Sequence, residues 1–293
     1  MQMRRTMNRK KDETGLWTVL APFEILAVPV AVWLTLWGGC TGALAAAAFI
    51  GSWILGVAAL VLLYILFVGV MSLTVSMKKP APKENHPFYR RVVVFVIGLL
   101  CAFGRLRIHV RGAETLPEGR FLLVSNHRSG YDPIATVWAL RRRDIAFITK
   151  PENLRIPIAG PMIFKANYLP IDRENPRHAM DTIRHASELL KNDVVSVGVY
   201  PEGTRSRDGE MLPFHNGVFK IAQRASVPVA VCSIQGTENI KKRAPFRTTD
   251  VYLRVCAVLK PENISSAVLG GRVREILTRS LAKEPSESPA SRV

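Results

Sequence analysis

The chain is poor in cysteine, with only Cys40, Cys101, Cys232 and Cys256 among 293 residues. Two of them lie in strongly apolar stretches and two in strand-like runs, and no pair has the short spacing of a metal-binding motif. Small disulfide-bonded folds and structural zinc sites both need closely spaced cysteines. The sequence therefore argues against a disulfide framework and predicts no metal site.

Charge is absent from residues 25–77, which contain no acidic or basic residue and no histidine. A membrane-spanning helix needs about 20 apolar residues, so this region is long enough for two. The glycines around Cys40 mark a turn and predict spans at Leu16–Trp37 and Ala43–Leu73. A cleaved signal peptide is much shorter. The pattern predicts a helical hairpin that either crosses the bilayer or enters a single leaflet.

Basic residues flank the predicted hairpin at its outer ends, from Arg4 to Lys11 and from Lys78 to Arg91, whereas the turn has none. The positive-inside rule then places both ends, and the domain that follows, on the cytoplasmic face of a membrane. We predict a basic tail at 1–14, the hairpin at 15–77, a linker with a short apolar interfacial segment at 78–104, a folded domain at 105–282 and a disordered tail at 283–293.

Acidic residues are scarce beside basic ones, 23 against 40, which gives a net charge of +17. Such a balance favours anionic partners, among them lipid headgroups, phosphorylated substrates and nucleic acid. Nucleic-acid binders usually carry a basic stripe interleaved with aromatic residues, and this chain has none. Its clusters Arg141–Arg143 and Lys241–Arg243 instead suggest solvated or lipid-facing positions, or positions close to the phosphates of a donor. A non-enzymatic, membrane-anchored basic binding protein is the more distant alternative.

Beyond residue 105, short apolar runs alternate with segments of helical periodicity. The runs predict strands at 107–111, 120–125, 146–149, 168–171, 194–200, 228–234 and 251–259, and the periodic segments predict helices at 133–142, 176–191, 217–225 and 264–281. This alternation predicts an α/β fold, with a mostly parallel central sheet flanked by helices and preceded by the membrane hairpin.

Chemistry-bearing residues follow the predicted strands. His127 and Asp132 lie in a loop between a strand and a helix, where a carboxylate can orient an imidazole that accepts a proton. Lys150, Arg173 and Arg205 each come at or just after the end of another strand. Ligands of open α/β sheets bind at the carboxyl ends of strands, so these cations predict an anion site there. Glu202 is a candidate partner that holds Arg205 in place.

These stretches resemble the glycerolipid acyltransferases, most closely the 1-acyl-glycerol-3-phosphate acyltransferases. The family's first motif, Asn-His-x-Ser-x-x-Asp, matches 126–132, its second resembles 150–173, its third resembles 200–206 and its fourth resembles 227–229. The match covers residues 105–260. Asn167 departs from the family where a glycine is usual, and Val231 where a second proline is frequent.

The resemblance implies transfer of a fatty acyl group from a thioester, acyl-CoA or acyl carrier protein, to the free hydroxyl of a lysophospholipid, with no other cofactor. It assigns His127 as general base, Asp132 as its orienting partner and Lys150 as a stabiliser of the oxyanion. Acceptor phosphate would be held by the remaining motif residues: Arg173, Glu202, Gly203, Thr204 and Arg205.

Two alternatives remain open at this point. Other members of the family acylate glycerol 3-phosphate or different lysolipids. A hydrolase with Ser125 or Ser129 as nucleophile would fit the nearby histidine, but neither serine stands in the Gly-x-Ser-x-Gly turn expected of such an enzyme.

Overall fold

The computed structural model describes residues 16–39, 41–77, 82–206, 209–261, 264–282 and 291–292. Of these, the residues up to 76 form one compact unit, and those from 77 onwards belong to a second. The predicted basic tail, the first residues of the linker and most of the predicted disordered tail lie outside the described residues.

The first unit is a pair of helices, α1 (Leu16–Trp37) and α2 (Gly42–Leu73), whose bounds agree with the predicted spans. Both are long and apolar enough to cross a membrane. Small residues allow the two helices to approach closely: a Cβ added to Gly56 would lie 3.3 Å from the Cβ of Ala27. Phe23 and Tyr64 add an edge-to-face contact with ring centroids 5.8 Å apart. Close packing of this kind is typical of helices that associate in lipid.

The second unit is built on one sheet. Its strands are β1 (Leu106–Arg111), β2 (Leu122–Ser125), β3 (Ile145–Thr149), β4 (Leu169–Pro170), β5 (Ser196–Val199), β6 (Val229–Gln235), β7 (Thr249–Leu259) and the two-residue β8 (Ser291–Arg292). Their spatial order is β4-β3-β5-β2-β6-β7-β1-β8. Strands β4, β3, β5, β2 and β6 run parallel to one another, whereas β7 is antiparallel to β6 and parallel to β1. The predicted mostly parallel sheet is confirmed.

Helices cover both faces of the sheet: α3 (Pro87–Phe103), α4 (Asp132–Ala139), α5 (Ala159–Lys165), α6 (Pro176–Lys191), α7 (Lys220–Ala225), α8 (Ile240–Arg243) and α9 (Ser266–Leu281). Helix α6 begins where predicted, because the side chain of Asn175 accepts hydrogen bonds from the N–H groups of Arg177 and His178. Helix α3 packs against α4 at Gly98, where a Cβ would collide with the ring of Trp138.

Strand direction decides which loops share an edge of the sheet. The carboxyl ends of β4, β3, β5, β2 and β6 all lie at one edge, which we call the active edge. Because β7 and β1 run the other way, their first residues, Thr249 and Leu106, lie at this edge as well. The loops after β2, β3, β4, β5 and β6 are therefore neighbours.

Candidate functional site

Asn126 fixes the start of the loop that follows β2. Its buried amide donates to the carbonyl of Ile234 at 2.9 Å and accepts from the Ile234 N–H at 2.8 Å. These two bonds continue the β2–β6 pairing by one step after the backbone ladder ends. The next residue, His127, therefore leaves the sheet in a defined direction.

His127 and Asp132 are in direct contact, as their positions in the sequence predict. Nδ1 of His127 lies 2.8 Å from Oδ2 of Asp132, and the Asp132 side chain is fully buried. The same oxygen accepts from the backbone N–H groups of Arg128 at 2.7 Å and Ser129 at 2.8 Å, while Oδ1 accepts from the hydroxyl of Thr237. Three of these partners, the two backbone N–H groups and the hydroxyl, are donors whatever the state of the imidazole, so the carboxylate acts here as an acceptor. Nδ1 therefore carries the proton, and Nε2 is left as the acceptor.

The face of the imidazole ring is also in contact with a neighbouring side chain. The ring of His127 stacks on that of Tyr200, with centroids 4.2 Å apart and planes 15° from parallel, and Tyr200 stacks in turn on Phe147. Burial, with a smaller contribution from the Asp132 charge, raises the pKa of Tyr200 well above its ordinary value, so that its hydroxyl stays neutral. The ring is thus fixed in orientation by Asp132 and in tilt by Tyr200.

Glu202 is buried, and both of its oxygens accept hydrogen bonds from the backbone. Oε1 accepts from the N–H of His127 at 2.6 Å and Oε2 from the N–H of Leu212 at 2.9 Å. Burial raises the pKa of this carboxyl, opposed by the two hydrogen bonds. Our expectation that Glu202 holds Arg205 needs correction, because the carboxylate instead ties the loop after β5 to the loop after β2. The pattern of the sequence alone gives no sign of these backbone partners.

The cations predicted for this edge lie around the histidine loop. A Cβ added to Gly130 would lie 3.6 Å from Nη1 of Arg205, and one added to Gly203 would lie 3.7 Å from Nε of Arg173. Desolvation lowers the pKa of Arg173 from its ordinary value, which is high enough that the guanidinium remains charged at neutral pH. Both guanidinium groups therefore border the glycines of the first and third motifs.

The remaining predicted residues have distinct placements. Gly203 is buried with φ +73°, its N–H donates to the carbonyl of Tyr200 at 3.0 Å, and a Cβ there would lie 2.8 Å from the His215 ring, so this glycine shapes the turn and leaves no open space for a ligand. Thr204 is exposed next to it. Lys150 is exposed at the end of β3, two strands from β2 in the sheet, a separation of about 10 Å.

Neither serine of the hydrolase alternative is presented as a nucleophile. Ser125 is fully buried at the end of β2, and the hydroxyl of Ser129 accepts from the N–H of Tyr131 at 3.3 Å within the turn. Among the described residues, no group of three or more His, Cys, Asp or Glu side chains is arranged to hold a metal ion.

Three supporting side chains were not assigned these roles from the sequence. Asn126 and Tyr200 stand inside recognised motifs, but their pairing with Ile234 and His127 depends on the sheet. Thr237, which bonds to Asp132, lies 105 residues further along the chain in the loop after β6. No local pattern of the sequence points to it.

Comparison with known proteins points to one family. Residues 107–235 match the acyltransferase family model. The human 1-acyl-sn-glycerol-3-phosphate acyltransferase alpha is 30% identical over 72% of this chain and 75% of its own length, and the bovine protein is 31% identical over 72% and 74%. The crystal structure of the 1-acyl-sn-glycerophosphate acyltransferase PlsC from Thermotoga maritima superposes with a TM-score of 0.56 at 28% identity. It covers 76% of this chain and 90% of that one.

Proposed function

The chain belongs to the family of 1-acyl-sn-glycerol-3-phosphate acyltransferases, and on that premise we propose that it moves a fatty acyl group from a thioester donor to the free hydroxyl of 1-acyl-glycerol-3-phosphate. The product would be phosphatidic acid, a precursor of phospholipids. The observation that carries the proposal is the buried Asp132 carboxylate held 2.8 Å from Nδ1 of His127.

The reaction begins with proton transfer. Nε2 of His127 takes the proton of the acceptor hydroxyl as its oxygen attacks the thioester carbonyl. The tetrahedral intermediate then collapses, the carbon–sulfur bond breaks, and the imidazolium returns the proton to the leaving thiolate. Asp132 stabilises the imidazolium throughout and does not itself become protonated. No covalent enzyme intermediate is needed.

The acceptor phosphate binds to the guanidinium groups of Arg173 and Arg205. Planar guanidinium groups suit phosphate because they donate two parallel hydrogen bonds. The exposed Thr204 hydroxyl is a further donor, and Gly203, buried against His215, allows the turn that presents it. The carboxylate of Glu202 would repel a phosphate, so we assign it to positioning of the His127 backbone.

Lys150 is proposed to stabilise the oxyanion of the intermediate, as positive charge near a developing negative charge lowers the barrier. Its strand lies about 10 Å from β2, and an extended lysine side chain covers part of that distance towards a thioester carbonyl held between the two loops. A K150M variant that keeps the wild-type kcat would remove this assignment.

Membrane attachment fits this chemistry, because acceptor and product are both lipids and need not be extracted into water. We propose that the α1–α2 hairpin anchors the enzyme with its catalytic domain on the cytoplasmic face, where acyl-CoA and acyl carrier protein are found. Basic flanks of the hairpin add attraction to anionic headgroups.

The test is an assay of the full chain with labelled acyl-CoA or acyl carrier protein against a panel of 1-acyl-glycerol-3-phosphate, other lysolipids and glycerol 3-phosphate. The variant H127A should lose roughly 10²- to 10⁴-fold in rate, the usual contribution of a general base. H109A is the matched control, since it removes another histidine bound to an aspartate. An active H127A protein would end the mechanism, and preference for another acceptor would move the proposal to that lipid.

A further inference from the structure

The active edge has a second half that the proposed chemistry does not use. It is formed where α3 runs into β1 and where the loop after β6 runs into β7. The two segments are joined by a hydrogen bond from the N–H of Thr249 to the carbonyl of Arg105 at 3.1 Å. The two segments therefore meet at this edge, although they lie more than 130 residues apart in the chain.

Two large aromatic side chains are exposed on this surface. Phe246 is 86% exposed and Phe103 is 73% exposed. Leu100, one turn before Phe103 on α3, is 52% exposed. A single exposed apolar residue is ordinary, but a group of them on adjoining segments indicates a contact surface.

The aromatic residues stand among cations. Four exposed basic residues lie within four positions of Phe246 or Phe103 in the sequence: Arg105, Lys242, Arg243 and Arg247. Helix α8 presents Lys242 and Arg243 in a fixed way because Ile240 is buried, and Arg247 is tied to the end of this helix by donating its N–H to the Arg243 carbonyl at 2.8 Å. We call these two aromatics and four cations the basic–aromatic rim.

The rim is connected to the catalytic loop. Thr237, at the start of the segment that leads into α8, donates to Asp132, and Glu238 lies 3.6 Å from Arg128 through its Oε1 and the arginine Nη1. A surface that contacts the rim would therefore meet the protein beside the opening to His127.

We infer that the basic–aromatic rim docks the catalytic domain onto a bilayer that contains anionic phospholipids. Aromatic rings favour the headgroup level of a membrane, and each nearby lysine or arginine adds attraction to an anionic surface. Docking would hold the opening of the active site against the lipid phase. We favour a bilayer over an acidic protein because the acceptor and product proposed above are lipids that must reach the same edge of the sheet. The inference rests on the membrane attachment and the lipid substrates proposed above, but its test does not depend on acyl transfer.

The experiment places a spin label on the full chain. Cys40 and Cys256 are replaced by serine, a cysteine is introduced by F246C, and the labelled protein is inserted into vesicles of phosphatidylcholine with or without phosphatidylglycerol. Collision with oxygen, which enters lipid, is compared with collision with a water-soluble nickel chelate. The matched control is V268C, whose half-exposed position on α9 follows the carboxyl end of β7 at the opposite edge of the sheet.

With anionic lipid, the label at 246 should be protected from nickel and accessible to oxygen, while the label at 268 stays accessible to nickel. The double variant R243Q/R247Q removes two cations that attract the anionic surface, so it should reduce the ratio of docked to undocked protein roughly 25-fold. The control R142Q/K191Q removes two exposed cations from the opposite edge and should not change this ratio.

Three outcomes are distinguishable. A chain that fails to float with vesicles refutes the proposed anchoring. A chain that floats with position 246 as open to nickel as position 268 refutes docking by the rim. A label that is shielded only when acyl carrier protein is added identifies the rim as a protein-docking surface and overturns the lipid inference.

Discussion

Replacing Asp132 with asparagine removes one charge and leaves the geometry of the site almost intact. The backbone N–H groups of Arg128 and Ser129, at 2.7 and 2.8 Å from Oδ2, require an acceptor there and so select the amide oxygen of the new side chain. The amide nitrogen then faces the hydroxyl oxygen of Thr237, which can accept from it. His127 keeps its partner on Nδ1, its tautomer and its orientation.

The magnitude of the D132N effect follows from the lost charge. An imidazolium and a carboxylate with charge centres about 4 Å apart interact by about 4 kcal/mol at an effective dielectric constant of about 20. The amide dipole retains part of this stabilisation, so we expect a loss of about 2 to 4 kcal/mol in the transition state. This corresponds to a fall in kcat of roughly 30- to 1000-fold. The KM for the acceptor should change little, because Asp132 is fully buried.

The assay is steady-state acyl transfer by the full chain in detergent, which gives kcat with both substrates saturating and KM when the acceptor is varied. D250N is the matched control, since Asp250 also binds a histidine at 2.8 Å, and it should stay within about twofold of wild type. The melting temperature of D132N is measured alongside. A folded D132N protein with a kcat within threefold of wild type would refute the role of the carboxylate.

Three further changes test the supporting structure. T237V removes one hydrogen bond to the buried carboxylate, and since bonds to charged groups contribute about 1.5–3 kcal/mol, we expect kcat or stability to fall accordingly in the same assay. In E202Q, the amide nitrogen of the new side chain faces one of the two backbone N–H groups that the carboxylate accepts from, and two donors cannot bond to each other. The free energy of unfolding, measured by denaturant titration, should therefore fall by about 1–3 kcal/mol. Burial raises the pKa of Glu202 above its unfolded-state value. The stability that this carboxyl contributes is therefore fully present below the unfolded-state pKa and is lost as the pH rises through the folded-state pKa. The difference in melting temperature between wild type and E202Q should accordingly narrow as the pH rises. G203A places a Cβ at φ +73° and 2.8 Å from the His215 ring, so it should lower the melting temperature, whereas G119A, whose Cβ meets nothing within 4 Å, should not.

The sequence predicts the elements of this fold well where apolar runs end abruptly. All seven predicted strands are present, and α6 spans the residues that its cap and periodicity indicate, Pro176–Lys191. Asn167, noted as a departure from glycine, has φ +66°, which asparagine tolerates. Helix α5 was missed because its seven residues are too few to show periodicity and include a proline.

Local sequence patterns do not predict strand direction or contacts between residues that are far apart in the chain. An antiparallel β6–β7 pair joined by a short basic helix has the same apolar runs as a parallel pair, so the start of β7 at the active edge could not be foreseen. The contact between His127 and Asp132 spans five residues and was predictable from a strand-to-helix turn. The partners of Glu202 and Thr237 were not, because each depends on two loops that meet only in the folded sheet.

The protein contains two histidine–aspartate pairs that look alike at first sight. His127–Asp132 and His109–Asp250 both have a ring nitrogen 2.8 Å from a carboxylate oxygen, and each imidazole stacks on a tyrosine. Their environments differ. The Asp132 side chain is fully buried and accepts two backbone N–H groups, whereas that of Asp250 is 36% exposed and also lies 3.8 Å from Arg107.

Those differences decide which histidine can act as a base. Solvent and the Arg107 charge screen Asp250, so it would stabilise a proton on His109 much less than Asp132 stabilises one on His127. The free nitrogen differs as well: His109 binds its aspartate through Nε2 and keeps Nδ1, the nitrogen nearer the main chain, whereas His127 keeps the outward Nε2. A histidine and an aspartate in contact therefore do not make a catalytic pair by themselves. Burial of the carboxylate and the choice of the free nitrogen single out His127, and both are set by the turn between β2 and α4.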